Sequence, residues 1–216
     1  MQTADAREQM IEQQVRAWDV LDARVLEVLR QVPRELFVPH GQRYRAFADS
    51  EVPLACGQHM LRPSVVGRIL QALLPQRSES VLEIGAGSGF VSACLRALAG
   101  SVRTLETFPE LAASARRNLA AFGLGDVEVV DADAFNSAEA ARYDVVAVTG
   151  SLPLYDARFE RLLKPGGRLF VVVGAAPAME ARLVTRTAAE AWSSQTLFET
   201  VIDPLVNAAR PPQFTF

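Results

Sequence analysis

The first third of the chain alternates between helical and irregular patterns. Apolar residues recur every three or four positions over residues 5–31, which predicts two helices, and over residues 64–74, which predicts a third. Asp22 is placed to begin the second helix, and Pro33 lies just past its end. Residues 33–63 are rich in proline and glycine and have weak periodicity, so we expect an irregular arm with short extended pieces. A loop of this length inside a compact domain is usually functional.

From residue 80 onward, short apolar runs alternate with helical patterns. They predict strand 81–84, helix 88–98, strand 102–106, helix 109–122, strand 127–130, strand 143–148, helix 154–163 and strand 168–173. This alternation indicates βαβ units and a parallel sheet, and the nearly continuous apolar strands suit a sheet covered on both faces. Segments 181–187 and 196–202 predict a hairpin at the edge of the sheet. The predicted fold is α/β, a doubly wound, mostly parallel sheet, with an N-terminal helical arm (1–75) packed on a core (76–216).

Composition and charge narrow the class of protein. Half of the residues are hydrophobic and 22% are charged, which is typical of a globular chain with a sizeable core. The formal net charge of -3 gives no support for a nucleic-acid partner. There is no apolar run of about 18 residues, so we expect no membrane partner. The first residues are polar, so we expect no signal peptide and therefore a cytoplasmic location. Cys56 and Cys94 lie far apart, and no metal site is expected.

A glycine-rich loop follows the first strand of the predicted core and opens the next helix. It reads Glu83-Ile84-Gly85-Ala86-Gly87-Ser88-Gly89-Phe90. In a doubly wound sheet, ligands bind at this turn. The spacing is G-x-G-x-G, and Phe90 stands where a dinucleotide fingerprint has its third glycine, which disfavours a nicotinamide-dependent dehydrogenase. The carboxylate of Glu83 suits a cationic amine, such as the α-ammonium of methionine, better than a pyrophosphate.

Two further acids follow neighbouring strands. Glu106 ends the second core strand, where an acid can accept hydrogen bonds from both ribose hydroxyls, and Asp133 follows the third, where it can accept from an adenine amine. Alternatively, Glu106 is a solvated strand end and Asp133 caps a short helix. Taken together, the pattern predicts a methyltransferase that uses S-adenosylmethionine. Its expected binding residues are Glu83, Ile84, Gly85, Gly87, Ser88, Gly89, Glu106, Asp133 and Ala134.

Most of the chain resembles the protein-L-isoaspartate O-methyltransferases, which methylate the abnormal carboxylate of isoaspartyl residues in damaged proteins. The similar segments are Met10-Ile11-Glu12-Gln13-Gln14, Val32 to Pro39 (family vPR-x-x-FvP), Tyr44 and Asp49 before Val52-Pro53-Leu54 (aY-x-D-x-x-lpi), Val81 to Phe90 (VLEIGtGSGY), Leu162 to Gly174 (Lk-x-GGrlv-x-pvG) and Val201 to Leu205 (v-x-FvPL). Thr149-Gly150-Ser151 stands where the family has Taa, and Thr149 joins the expected cofactor-binding residues.

The arm departs from the family at the transfer site. The family carries GqTiSqP, whose threonine and serine touch cofactor and substrate, whereas this chain has His59 in place of the threonine and Leu61 in place of the serine. The resemblance makes these two the transfer-site positions. It also implies substrate contacts from Gln58, His59, Met60, Leu61 and Arg62.

These departures leave the methyl acceptor open. A carboxylate is ionised near neutral pH and needs little acid–base help, so isoaspartyl methylation remains the first interpretation. Because Leu61 cannot make the hydroxyl's hydrogen bond, a cofactor-binding protein without isoaspartyl activity is an alternative. His59 is either a general base for a hydroxyl or amine, which implies another acceptor such as a small molecule, or an ordinary loop histidine. Arg62 either binds an acidic substrate group or is solvated.

Overall fold

The computed structural model describes residues 3–136 and 140–212. The helices are α1 (Thr3–Met10), α2 (Ala23–Gln31), α3 (Arg34–Phe37), α4 (Pro63–Leu73), α5 (Phe90–Leu98), α6 (Pro109–Ala121) and α7 (Arg158–Arg161). The strands are β1 (Val52–Pro53), β2 (His59–Met60), β3 (Ser80–Ile84), β4 (Ser101–Glu106), β5 (Glu128–Asp131), β6 (Tyr143–Leu152), β7 (Leu163–Ala175), β8 (Ala178–Ala188) and β9 (Ala191–Glu199). A π-helical turn, Ile11–Val15, follows α1, and short 3₁₀ segments occupy Arg16–Trp18, His40–Arg45, Ala55–Gly57 and Ala134–Asn136.

The large sheet has seven strands in the order β5-β4-β3-β6-β7-β8-β9. Strands β5, β4, β3, β6 and β7 are parallel, and β8 and β9 add an antiparallel hairpin at one edge. The doubly wound α/β fold and the edge hairpin predicted from the sequence are therefore confirmed. The chain runs outward from β3 to β5 on one side and resumes at β6 on the other. This reversal opens a crevice at the carboxyl end of β3.

Helices cover both faces of this sheet, as the apolar strands predicted. Because side chains alternate along a strand, neighbouring residues enter different hydrophobic clusters. Val81 and Phe170 pack in one cluster, and Leu82 and Leu169 pack in the other. The parallel part of the sheet is thus a rigid base for the loops at its carboxyl edge.

The N-terminal helices pack onto the first of these clusters. Asp22 begins α2 by accepting hydrogen bonds from the backbone of Arg24 and Val25, as its position predicted. Leu29 of α2 shares the cluster with Leu95 of α5. The division into an arm (1–75) and a core (76–216) stays a prediction, and residues 1–2 and 213–216 of those ranges lie outside the described part of the chain.

The arm between α2 and α4 is mostly irregular, as expected. Its two short strands pair antiparallel, with Val52 opposite Met60 and Pro53 opposite His59. This pairing folds the arm back on itself and places His59 at the edge of a small hairpin. Within the described ranges, no helix has both the length and the apolar character needed to cross a membrane.

The largest differences from the predicted elements lie after β6. The expected helix 154–163 is only the four-residue α7, because β6 continues to Leu152 and β7 already begins at Leu163. The end of β6 is held by backbone bonds to the C-terminal segment: Ser151 N donates to Asp203 O (2.8 Å), and Leu205 N donates to Ser151 O (2.9 Å). The final strand ends at Glu199 rather than at residue 202.

Candidate functional site

A cleft lies at the carboxyl edge of the parallel strands. The glycine loop, the ends of β4 and β6, the arm and the C-terminal segment all contribute to its walls. The predicted site residues that line it are Gln58, His59, Met60, Leu61, Ile84, Gly85, Gly87, Ser88, Glu106, Asp133, Ala134 and Thr149. The fold thus brings most of the expected cofactor residues and most of the expected acceptor residues to a single cleft.

The glycine loop is closed by Thr149 of β6. The hydroxyl of Thr149 lies 2.9 Å from the carbonyl oxygen of Ile84 and 2.7 Å from that of Gly85. Gly85 has φ +99°, and a Cβ there would stand 2.7 Å from Thr149 Oγ1. Gly89, with φ +85°, precedes α5 and delays its start to Phe90, two residues later than predicted. Gly89 therefore shapes the loop without lining the cleft.

We expect Gly85→Ala to lower the free energy of unfolding by about 2–3 kcal/mol, because the added methyl group meets both an unfavourable φ and the Thr149 hydroxyl. Chemical denaturation of the ligand-free protein measures this difference. Gly41→Ala is the matched control, since no atom lies within 4 Å of the position of its Cβ. Equal midpoints for the two variants would contradict the prediction.

Glu106 ends β4 with its carboxylate fixed beneath the glycine loop. Oε2 accepts from the backbone N–H of Gly87 at 2.9 Å, and Oε1 accepts from that of Phe108 at 3.1 Å. The residue is only 5% exposed, so it is not the solvated strand end considered above. Each carboxylate oxygen keeps a further lone pair. The arrangement can therefore accept two more hydrogen bonds from a ligand diol in the cleft.

Asp133 lines the same cleft beyond β5 and also caps a turn. Its Oδ1 accepts from the backbone N–H of Phe135 at 2.9 Å, which starts the 3₁₀ segment. Its Oδ2 accepts from Asn207 Nδ2 at 2.9 Å. The capping role and the cleft position are thus compatible. Asn207 escaped the sequence analysis because nothing local marks its contact with a residue so distant in the chain.

The position of Glu83 corrects the expectation that it faces a ligand amine. Glu83 is fully buried and is not among the cleft-lining residues. Its Oε2 accepts from the hydroxyl of Ser92 in α5, and Thr104, opposite Glu83 on β4, offers a second hydroxyl beside the carboxyl. Burial raises the pKa of Glu83 to about 8. A direct contact with a ligand ammonium is therefore not supported by this geometry.

Arg34 is a buried cation in the wall of the cleft that the sequence analysis did not single out as a site residue. It is 1% exposed and lines the cleft. Nε donates to the carbonyl of Ala46 (3.1 Å), and Nη2 donates to the carbonyl of Leu61 (2.9 Å). Nη1 has no hydrogen-bond partner among the described residues. Burial lowers the pKa of Arg34 to about 10, so the guanidinium stays charged at neutral pH.

His59 lines the same cleft in contact with an acid from the C-terminal segment. Its Nδ1 is 2.8 Å from Asp203 Oδ2. Glu51 also lines this cleft, and its pKa is raised by partial burial and then by the charge of Asp203. Leu61 is 9% exposed and presents an apolar side chain here. The sequence did not indicate Glu51 or Asp203 as site residues, because their contacts with the arm form only in the folded chain.

Arg62 does not line the main cleft. The substrate contact predicted for it is therefore separated from those predicted for Gln58, His59, Met60 and Leu61, which do line that cleft. Its guanidinium stacks on Trp18, with 4.5 Å between the guanidinium carbon and the ring centroid. It also lies 3.4 Å from the hydroxyl of Thr200. Arg62 lines an adjoining open cleft that it shares with Glu51 and His59.

Neither cysteine forms a disulfide: Cys56 is exposed and Cys94 is buried. Over residues 3–136 and 140–212, no group of three or more His, Cys, Asp or Glu side chains is placed to hold a metal ion.

Comparison with known proteins identifies the family of this chain. A family model described as Protein-L-isoaspartate(D-aspartate) O-methyltransferase matches residues 5–210. A protein-L-isoaspartate O-methyltransferase of Rhodopseudomonas palustris is 40% identical over 201 residues, which cover 92% of each chain. One of Aeropyrum pernix is 42% identical over 175 residues, covering 79% of this chain and 67% of that protein. A beta-aspartate methyltransferase of Plasmodium falciparum, solved with S-adenosyl-L-homocysteine, superimposes with a TM-score of 0.80 at 15% identity, over 95% of this chain and 98% of that one.

Proposed function

The chain belongs to the protein-L-isoaspartate(D-aspartate) O-methyltransferase family, and from this premise we propose that it methylates the abnormal, free α-carboxylate of isoaspartyl residues in damaged proteins. Its cofactor is S-adenosylmethionine. The observation that carries the proposal is a single cleft that is lined both by an anchored acid, Glu106, and by a buried guanidinium, Arg34. The first suits a nucleoside, and the second suits a carboxylate.

The residues at the Glu106 end fit the nucleoside part of S-adenosylmethionine. Gly85 and Gly87 line this part of the cleft, and the free lone pairs of Glu106 suit the two ribose hydroxyls. Asp133 and Ala134, which line the same cleft, are proposed to contact the adenine. When bound, the cofactor supplies a methyl group on a positively charged sulfur. The part of this chain is to orient the acceptor against that methyl group and to exclude water, which is a proximity task.

The residues at the other end fit an anionic acceptor even without the family's serine. The unpartnered Nη1 of Arg34 is a charged donor in a buried place, where an anion that accepts from it offsets the cost of burying the guanidinium. Arg34 also holds the backbone at Leu61 through Nη2. We infer that this guanidinium attracts and orients the acceptor carboxylate. The carboxylate is already ionised at neutral pH, so no side chain has to remove a proton.

Labelled methyl transfer to an isoaspartyl peptide tests the proposal. We expect label on this peptide, and none above background on the same sequence with a normal aspartyl residue. The label is expected to be released by mild alkali, since the product is a methyl ester. Titration with S-adenosylhomocysteine in the same preparation shows whether the cofactor site is intact. Binding without any alkali-labile label on the peptide would overturn the proposed acceptor and leave the cofactor assignment standing.

A comparison of Leu61→Ser with Leu61→Ala isolates the missing hydroxyl. Both variants remove about the same apolar volume from a side chain that is 9% exposed, so both lose stability through core burial. The serine variant is expected to methylate the isoaspartyl peptide about 10–100 times faster than the alanine variant, because a restored hydrogen bond contributes about 1–3 kcal/mol. Initial rates at saturating cofactor measure the ratio. Equal rates would show that the hydroxyl has no role in this site.

A further inference from the structure

The contact between His59 and Asp203 is the feature of the cleft that carboxyl methylation does not use. The two residues are 144 positions apart in sequence, and the fold brings Nδ1 of the imidazole to 2.8 Å from the carboxylate. Both line the main cleft, and both side chains are about a third exposed, at 36% and 38%. Nε2, on the far side of the ring, has no hydrogen-bond partner over the described ranges. When a carboxylate orients an imidazole through one ring nitrogen, the other nitrogen is free to accept a proton, which is how histidine general bases are commonly arranged.

Asp203 is held firmly enough to orient the ring. Its carbonyl oxygen accepts from the backbone N–H of Ser151 at 2.8 Å, and the hydroxyl of Ser151 donates to the carbonyl of Ile202 at 3.1 Å. Ser151 is itself fully buried in β6. The segment that carries Asp203 is thus fixed to the rigid sheet. In the family motif aligned with this segment, a valine precedes the Pro-Leu pair, so His59 and Asp203 both depart from the family pattern, and they contact each other.

The charges around His59 favour an acceptor that is neutral before it reacts. Asp203 contacts the ring directly, and Glu51 lies close enough to influence it. The nearby cation, Arg62, is engaged in its stack on Trp18. The charged groups of the adjoining cleft are Arg45, Asp49, Glu51, Arg62 and Glu199, which include more acids than bases. The charged groups nearest the imidazole are therefore mostly acids, whereas the cation proposed for the isoaspartyl carboxylate, Arg34, is held at the backbone of Ala46 and Leu61.

The side chains next to His59 in the arm, Met60 and Leu61, favour a methyl acceptor that has a large apolar part. Leu61 stands where the family has a hydroxyl, and Met60 lines the cleft beside it. An aromatic ring packs well against such side chains. A phenolic hydroxyl has a reference pKa of about 10, within reach of an imidazole base, whereas aliphatic alcohols are far weaker acids.

We propose that His59, oriented by Asp203, acts as the general base of a second activity of this cleft, the methylation of a phenolic hydroxyl. The activity rests on the cofactor use already described and not on the isoaspartyl acceptor. The phenolic proton passes to Nε2 of His59 while the oxygen bonds to the methyl carbon. The bond between that carbon and sulfur breaks, and its electron pair stays on sulfur. The products are an aryl methyl ether, the neutral thioether and an imidazolium, which returns its proton to solvent.

The alkali stability of the product separates the two activities in one assay. The full chain is incubated with methyl-labelled S-adenosylmethionine and N-acetyltyrosinamide, and in parallel with the isoaspartyl peptide. A methyl ether keeps its label in mild alkali, whereas a methyl ester releases it. We expect alkali-stable label on the phenol with the parent chain. The absence of such label while the isoaspartyl peptide is esterified would overturn the second activity and leave the proposed function intact.

Variants of the pair test the base. His59→Gly is expected to lower the alkali-stable rate by about 100-fold, within the range that general-base catalysis contributes, and added imidazole is expected to restore part of it. Asp203→Asn is expected to lower kcat by about tenfold or more while KM for the phenol changes little, since Asp203 acts as a positioning residue through His59. His40→Gly is the control. His40 is the other of the two histidines in the sequence, and it does not line the cleft.

Two results for the variants would overturn the proposal. One is an alkali-stable rate that is unchanged in His59→Gly. The other is a loss in His59→Gly that imidazole does not restore although the variant binds S-adenosylhomocysteine like the parent, which would assign His59 a packing role instead.

Discussion

Glu83→Gln is expected to raise the free energy of unfolding by about 5 kcal/mol at pH 9 and by little at pH 4. Burial raises the pKa of Glu83 from 4.5 to about 8, so the folded chain keeps a proton that the unfolded chain releases between these values. The stability linked to this proton is complete below the unfolded pKa and is lost as the pH rises through the folded one. Each pKa unit corresponds to about 1.4 kcal/mol. Glutamine remains neutral at every pH and still accepts from the Ser92 hydroxyl.

Denaturation of the ligand-free parent and variant between pH 4 and pH 9 measures this difference. Glu79→Gln is an informative control, because a hydrogen bond from Arg168 lowers the pKa of Glu79, which gives the opposite sign. The stability linked to Glu79 is present above its unfolded pKa and is lost as the pH falls. The Glu79 variant should therefore lose stability at neutral pH. A Glu83→Gln effect that did not grow with pH would show that Glu83 is not a neutral buried acid.

Glu106→Ala is expected to weaken the binding of S-adenosylhomocysteine by about 1,000-fold. The substitution removes the acceptor proposed for both ribose hydroxyls, and hydrogen bonds to a charged group contribute about 1.5–3 kcal/mol each. Each 1.4 kcal/mol corresponds to about tenfold in affinity. The alanine also frees the backbone N–H groups of Gly87 and Phe108, which lets the glycine loop move. Calorimetric titration measures the change.

Two further variants show whether the loss belongs to the ribose contact. Glu106→Gln retains one acceptor oxygen and should fall between the parent and the alanine variant. Glu110→Ala removes an exposed acid from the first turn of α6, outside the cleft-lining set, and should bind like the parent. An affinity within about threefold of the parent for Glu106→Ala would contradict the placement of the nucleoside at this end of the cleft.

Glu106 and Glu83 were both predicted to contact the cofactor, and the structure supports this position for Glu106 but not for Glu83. Glu106 is the last residue of β4, so its side chain reaches the open edge of the sheet, as expected. Glu83 lies one residue before the end of β3, on the same face as Val81. That face is covered by α5, and the carboxyl is therefore enclosed beside Ser92. Strand alternation was visible in the sequence, but which face the helix covers was not.

The departures in the arm show the same limit. His59 and Leu61 could be identified as altered positions from their place in a motif, and the structure puts both at the cleft. Their partners, Arg34 and Asp203, lie 27 and 144 positions away in sequence, and nothing in the motifs that carry them indicates these contacts. Since a side chain's neighbours across the fold are set by how strands and loops pack, such pairs become visible only in three dimensions.

By itself, the sequence determined the order of strands and helices, the doubly wound sheet, the glycine loop and the class of cofactor. These features follow from local regularities: the periods of strands and helices, the backbone freedom of glycine, and an acid at a strand end. Only the tertiary structure decided that Glu83 is enclosed, that Arg34 is a buried cation beneath Leu61, and that Asp203 orients His59. Each of these depends on chain segments that meet only when the sheet is assembled, because burial and long-range contacts are properties of the packed fold.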